Sequence, residues 1–145
     1  MATVRDILSH KGTHVSSIHS DATVYEAALR MNEKKIGALV VLDDNRLVGM
    51  FTERDILQRV VAQRRDAGDT HVRDVMTKEV ACCRPHTTLD EARGVMKNRR
   101  IRHLPVVDDE NRLLGLISIG DLNAHQNSTQ ENTIHLLHQY IYGHV

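Results

Sequence analysis

The sequence predicts an α+β protein built from two copies of one β-α-β-β-α unit and closed by an additional helix, and three observations carry that reading. Short strings recur in the same order in both halves of the chain. Helical apolar stripes follow matching N-terminal caps, and paired apolar runs flank matching acidic turns.

The leading string Val4-Arg5-Asp6-Ile7-Leu8 returns as Val72-Arg73-Asp74-Val75-Met76, and Thr23-Val24-Tyr25-Glu26-Ala27 returns as Thr88-Leu89-Asp90-Glu91-Ala92. In both halves Thr-x-x-Glu forms a capping box: the hydroxyl accepts from a free backbone N–H and the glutamate reaches back. Behind it Val24, Ala27, Ala28 and Met31, or Leu89, Ala92 and Met96, recur at three- and four-residue steps, so each helix buries one stripe.

Ile36-Gly37-Ala38-Leu39-Val40-Val41-Leu42-Asp43-Asp44 then matches Ile101-Arg102-His103-Leu104-Pro105-Val106-Val107-Asp108-Asp109. These strings predict strands at Ala38 to Leu42 and Leu104 to Val107, which turn into partners at Leu47 to Phe51 and Leu113 to Ile117. A last helix starts at Thr52 or Ser118. The first continues through Ile56, Leu57, Val60 and Val61 to the polar linker between Arg64 and Asp69.

The repeats are therefore expected at 1–66 and 67–127. Ser128-Thr129-Gln130-Glu131 reads as a further capping box, opening a tail helix over 128–145 with Ile134, Leu137 and Ile141 at helical spacing. That helix has no counterpart in the first half.

Composition bounds the function. With 145 residues, 41% of them hydrophobic, the chain can bury a core without disulfides. Nineteen Lys and Arg balance nineteen Asp and Glu, so no global field draws it to nucleic acid or an acidic membrane. Aromatic residues at 3%, with no tryptophan, remove the stacking platforms of single-strand binders. The adjacent Cys82 and Cys83 point to opposite faces of a strand, which suits neither a mutual disulfide nor a shared metal. There is no apolar leader at Met1 to Asp6, nor any run near the roughly 18 residues of a membrane span. The expectation is a cytoplasmic protein in a reducing compartment.

Chemistry concentrates at Gly49-x-x-Thr52-x-x-Asp55 and Gly115-x-x-Ser118-x-x-Asp121, each at a strand-to-helix junction. A hydroxyl and a carboxylate one turn apart face the same way. The ionised aspartate suits a ribose diol, while the hydroxyl and the free N–H groups of the helix start suit phosphate oxygens. Plain helix capping explains the same residues without a ligand. Two features favour the ligand: both copies carry Asp where a capping box prefers Glu, and both place glycine where a ligand would approach the backbone.

The doubled pattern Val-x-Asp-Ile/Val, Thr-x-x-Glu-Ala, apolar strand, Asp-Asp turn and Gly-x-x-Ser/Thr-x-x-Asp resembles the cystathionine-β-synthase (CBS) domain family, whose tandem pairs are called Bateman modules. The resemblance covers nearly all of residues 4 to 124 and includes the string Arg102-His103-Leu104-Pro105-Val106-Val107. It implies CBS repeats packed with pseudo-twofold symmetry and two clefts between them that bind AMP, ATP or another adenosine compound such as NAD or S-adenosylmethionine. The adenine nucleotide would be a regulatory ligand and not a required cofactor.

By that resemblance Thr52 with Asp55, and Ser118 with Asp121, match ribose and phosphate contacts, and Arg102 and His103 match phosphate-reaching basic positions. The first strand of each repeat, around Ser16 to Ile18 and Val80 to Cys82, would line an adenine pocket. Gly37 and Ala38 stand in the first repeat where the second has Arg102 and His103. The cleft of Ser118 and Asp121 is thus expected to be the better occupied, with Arg54 as a phosphate ligand in the first repeat. The family also associates through its helices, which implies a homodimer, with an unknown effector protein reading the state.

Other readings are weaker. The basic run Lys97 to His103 lacks the extended face and aromatic interleaving of nucleic-acid binders, and Arg99 and Arg100 suit a helix end. His135, His138 and His144 have no companion set at metal-ligand spacing. No nucleophile elbow or phosphate loop marks an enzyme. Two functions remain open: a ligand-sensing regulator, and a constitutive dimerisation scaffold with vestigial clefts.

Overall fold

The computed structural model describes residues 1–133, with side chains as far as Gln126. Two small sheets form, one from each repeat. In the first, β1 (Ser17–His19) runs parallel to β2 (Ala38–Asp43), which pairs antiparallel with β3 (Arg46–Thr52). In the second, β4 (His103–Val107) pairs antiparallel with β5 (Leu113–Ser118).

The strand expected around Val80 to Cys82 reduces to one parallel bridge, Cys83 with Val106. Its physical cause is proline. Val40 donates its N–H to the Ser16 carbonyl at 3.2 Å, but Pro105 stands in the corresponding place and has no N–H to give. One ladder bond is lost and the strand shortens.

Helix α2 (Val24–Lys34) and helix α5 (Leu89–Arg99) begin at the expected threonines, whose hydroxyls accept from the Glu26 and Glu91 N–H groups at 3.1 Å each. Both end on a left-handed residue, Lys35 and Arg100, each with φ of 55°. The third helix, α3 (Glu53–Asp55), passes into a π-helix over Ile56–Val61. Its counterpart α6 (Ile119–Thr133) runs unbroken past Ser128. No separate helix therefore opens at the expected cap, since neither glycine nor proline interrupts the backbone there. Residues 134–145, with the tail's apolar stripe, lie outside the described residues.

The two recurring leading segments form α1 (Val4–Lys11) and α4 (Val72–Val75), and both cross to the other half. Val4 and Ile7 are buried with Ala92, Met96, Leu104 and Ile117 of the second repeat. Val72, Val75 and Met76 are buried with Val24, Met31, Leu39 and Phe51 of the first. Backbone bonds fix both dockings, Val4 N–H to Thr87 C=O at 2.9 Å and Val72 N–H to Ala22 C=O at 2.8 Å. Each spatial half is thus assembled from both repeats.

The halves meet along an apolar seam of Val15, Leu42, Leu47 and Met50 with their counterparts Val80, Val107, Leu113 and Leu116. At its centre Arg46 bridges Arg112, flanked by Leu47 N–H to Asn111 C=O at 3.0 Å and Leu113 N–H to Asn45 C=O at 3.1 Å. Those reciprocal bonds join equivalent residues, which is the signature of a pseudo-twofold axis.

Gly49 and Gly115 take a meaning other than the expected approach of a ligand. A Cβ on Gly49 would lie 2.7 Å from Met76 Sδ and 2.8 Å from the Thr77 carbonyl oxygen, and one on Gly115 would lie 2.7 Å from Leu8 Cδ2. The glycines make room for the exchanged segments. Gly49→Ala should therefore destabilise the fold by about 1–3 kcal/mol, the cost of overpacking. Gly115→Ala should cost less, because a leucine end yields more easily than a carbonyl; urea denaturation of the two variants measures the order.

Candidate functional site

The strand-to-helix junctions share a local design and then diverge. In the first half the Thr52 hydroxyl accepts from the Asp55 N–H at 3.2 Å, and Asp55 Oδ2 accepts from the Thr52 N–H at 3.0 Å. Asp55 Oδ1 accepts from the Thr77 hydroxyl at 3.1 Å and lies 3.8 Å from Arg59 Nε. At 5% exposure, with both oxygens engaged, this carboxylate stitches its own helix start to the exchanged segment. Asp55 thus caps its own helix and also ties it to Thr77 and Arg59.

The second half begins the same way. The Ser118 hydroxyl accepts from the Asp121 N–H at 3.0 Å, and Asp121 Oδ2 accepts from the Ser118 N–H at 2.8 Å. Its remaining partner is different in kind. Lys11, the last residue of α1, donates from Nζ to Asp121 Oδ2 at 2.7 Å and to the Leu116 carbonyl at 2.8 Å. The hydrogen bonds from the Lys11 ammonium and the Ser118 N–H both fall on Oδ2, and the side chain is 23% exposed.

Burial works to raise the Asp121 pKa, but the Lys11 ammonium together with the Ser118 N–H and hydroxyl outweighs it and holds the carboxyl below its ordinary value. His103 faces Ser118 across the β4–β5 ladder. Its pKa is lowered by desolvation and by the neighbouring Lys11 and Arg102 charges, against an upward pull from Asp121. Arg102 is exposed, and its carbonyl accepts from the Ile119 N–H at 2.9 Å. Lys11, Arg102, His103, Ser118 and Asp121 therefore form one cluster.

The equivalent place in the first half lacks the two basic strand-entry side chains and has a carboxylate there instead. Gly37 and Ala38 replace Arg102 and His103, and the Glu53 carboxylate lies over Gly37, 3.0 Å from where a Cβ would be. Arg54 is exposed on the first turn of α3.

The strand residues scatter. Ser16 is half-buried with its carbonyl tied to Val40, and Val80 packs in the seam between the halves. Ile18, expected to line an adenine pocket, is 3% exposed and packed into the first-half core; its register beside Val41 puts both side chains on the core face of the sheet. Cys82 is exposed and Cys83 buried, its thiol pushed up to about 12 by desolvation and by Cys82.

Lys11 is the residue that sequence reasoning missed. The recurring string stops at Leu8, and the aligned position in the second repeat is the acidic Glu79, so repetition carried no signal. Among the described residues no group of three or more His, Cys, Asp or Glu is arranged to hold a metal ion. None of the described helices is long and apolar enough to cross a membrane.

Comparison with known proteins agrees with the repeat pattern. The sequence model of the CBS domain matches residues 4–62 and 72–127. Over 130 residues the chain is 38% identical to the CBS domain-containing protein YhcV of Bacillus subtilis, covering 90% of this chain and 89% of that one. A CBS domain protein of Pyrobaculum aerophilum, solved with AMP, superposes with a TM-score of 0.69 at 27% identity, covering 82% of this chain and 88% of that one. The CBS domain pair of protein MJ0100, solved with 5′-methylthioadenosine and S-adenosyl-L-methionine, gives 0.74 at 26% identity, covering 89% and 98%.

A depressed carboxyl pKa stabilises the fold fully above the unfolded-state value and loses that contribution as pH falls through the folded value. Carbon-detected NMR titration should place Asp121 below the ordinary 3.8. Lys11→Met should move that midpoint upward, so that the acid loss of stability tied to Asp121 becomes smaller and is complete at a higher pH.

Proposed function

Because this chain belongs to the CBS domain family, we propose that it is a nucleotide-responsive regulatory module that takes an adenosine compound in the cleft of Ser118 and Asp121 and passes that state to a partner protein. One observation carries the reading: Asp121 is held ionised on one oxygen by Lys11 and Ser118 and stays partly exposed. A carboxylate so prepared accepts from a ribose diol. Arg102 and Lys11 supply positive charge for phosphate with the His103 imidazole beside them as a hydrogen-bonding group, and Val80 and Leu116 of the seam supply apolar surface for a base. The adenosine ligands held by the Pyrobaculum aerophilum protein and by MJ0100 support the ligand class.

The role is binding, and the output lies in a partner protein. A ligand lodged between the halves biases only those arrangements that it contacts unequally, so the seam is the element it would shift. One ligand per chain is the natural stoichiometry. Asp55 is sealed by Thr77 and Arg59, and the Glu53 carboxylate opposes a phosphate beside Gly37.

The scaffold reading draws on a separate observation. Tyr25, Leu29, Leu57 and Val61 are 55%, 41%, 62% and 62% exposed on the helices of the first half, whereas the second half has Asp90, Gly94, Asn123 and Asn127 in their places. Such a face suits association of like halves into a homodimer. Leu57→Glu together with Val61→Glu should convert dimer to monomer by light scattering.

Calorimetric and thermal-shift titrations test the ligand reading, since a compound that binds only the native state raises its melting temperature. AMP or another adenosine compound should bind once per chain. Asp121→Ala should weaken it by about 1.5–3 kcal/mol, roughly ten- to a hundredfold. Asp55→Ala should lower stability and leave affinity nearly unchanged. If no adenosine compound shifts the melting point near a millimolar, the scaffold reading stands in its place.

A further inference from the structure

The pseudo-symmetry of the halves breaks at one pair of acceptors. In the first half α4 ends after Val75, and Thr77 runs along β3, exchanging backbone bonds with Met50 at 3.0 and 2.9 Å and giving its hydroxyl to Asp55. In the second half α1 runs on to Lys11 before Gly12 ends it with φ of 91°. The extra turn delivers an ammonium directly onto the carboxylate, 2.7 Å away, where in the other half the exchanged segment offers the neutral Thr77 hydroxyl and the Arg59 guanidinium of the helix itself stands off at 3.8 Å. Leu116, equivalent to Met50, and Asp121, equivalent to Asp55, both accept from Lys11 Nζ.

The chemistry of the cluster changes with that substitution. An ammonium has three donors, and Asp121 and Leu116 account for two of them, which leaves one for a ligand. Without Lys11 the exposed Arg102 and the ionised Asp121 would cancel. With it two permanent cations face a single carboxylate, while desolvation and those same cations favour neutral His103. The surplus charge acts on a phosphate far more strongly than on a neutral sugar diol, whose partner is Asp121.

We propose that Lys11, carried across from the first repeat, makes the Ser118–Asp121 cleft select a phosphorylated adenosine ligand over the uncharged nucleoside. The inference rests on the function proposed above and adds a specificity-determining residue to it. Lys11 sits at a helix end with its side chain 35% exposed, so its replacement leaves the apolar core intact.

The experiment is calorimetry of AMP and of adenosine on the full chain at fixed ionic strength, for the wild type, Lys11→Met and Lys11→Arg. Loss of one charge-assisted bond should lower AMP affinity about tenfold in Lys11→Met. Adenosine affinity should fall by much less, so the preference for AMP drops. Lys11→Arg, which keeps the charge, should keep most of that preference and shows that the loss is electrostatic. An equal fall for both ligands would reduce Lys11 to positioning Asp121 and overturn the proposal, as would no change for either. A wild-type chain that binds neither compound overturns the ligand reading itself, an outcome distinct from both.

Discussion

Everything in this fold follows from one packing constraint: the apolar residues of each leading segment find their complement only in the other repeat. Val4 and Ile7 dock on the second half, and Val72, Val75 and Met76 on the first. Gly49 and Gly115 are the sockets, because a methyl at either would overlap the arriving side chain. With the segments exchanged, the seam around Val40, Leu47 and Val107 is clamped from both ends, and the strand-to-helix junctions come under residues from a distant part of the chain.

That clamp explains how two copies of one unit come to hold different chemistry. A Ser/Thr-x-x-Asp turn is a sound helix cap in either half, so the backbone is indifferent to what else its carboxylate meets. The exchanged segment decides. Thr77 and Arg59 close over Asp55, whereas Lys11 holds one oxygen of Asp121 and leaves the carboxylate partly exposed. The same motif is buried with both carboxylate oxygens engaged in the first half and partly exposed in the second, and the repeat pattern alone does not separate them.

What was legible in the sequence was local. The threonine caps at Thr23 and Thr88, the hairpins turning at Asp-Asp and the helix starts at Thr52 and Ser118 all rest on neighbours within a few residues, and the structure has them where the pattern puts them, although the reciprocal glutamate bond of a capping box forms at Thr88 and not at Thr23, where Glu26 meets the hydroxyl. Long-range matters were not. The meaning of Gly49 and Gly115 depends on segments many residues away, Ile18 turns inward because of the strand it lies beside, and Lys11 reaches Asp121 only because α1 crosses over. Pro105 is an intermediate case. Its missing N–H is plain in the sequence, but that it costs the second repeat a strand requires knowing which carbonyl waited for it.

The crossing of α1 also sets an order of events during synthesis. This helix is synthesised about a hundred residues before its socket at Gly115 and its partners Leu104 and Ile117. The nascent chain must carry Val4, Ile7 and Leu8 without their native cover until the second repeat is made, a separation that slows closure and lengthens exposure to chaperones. Tags fused ahead of Met1 would accordingly be felt in the later-made half, at the far end of the sequence.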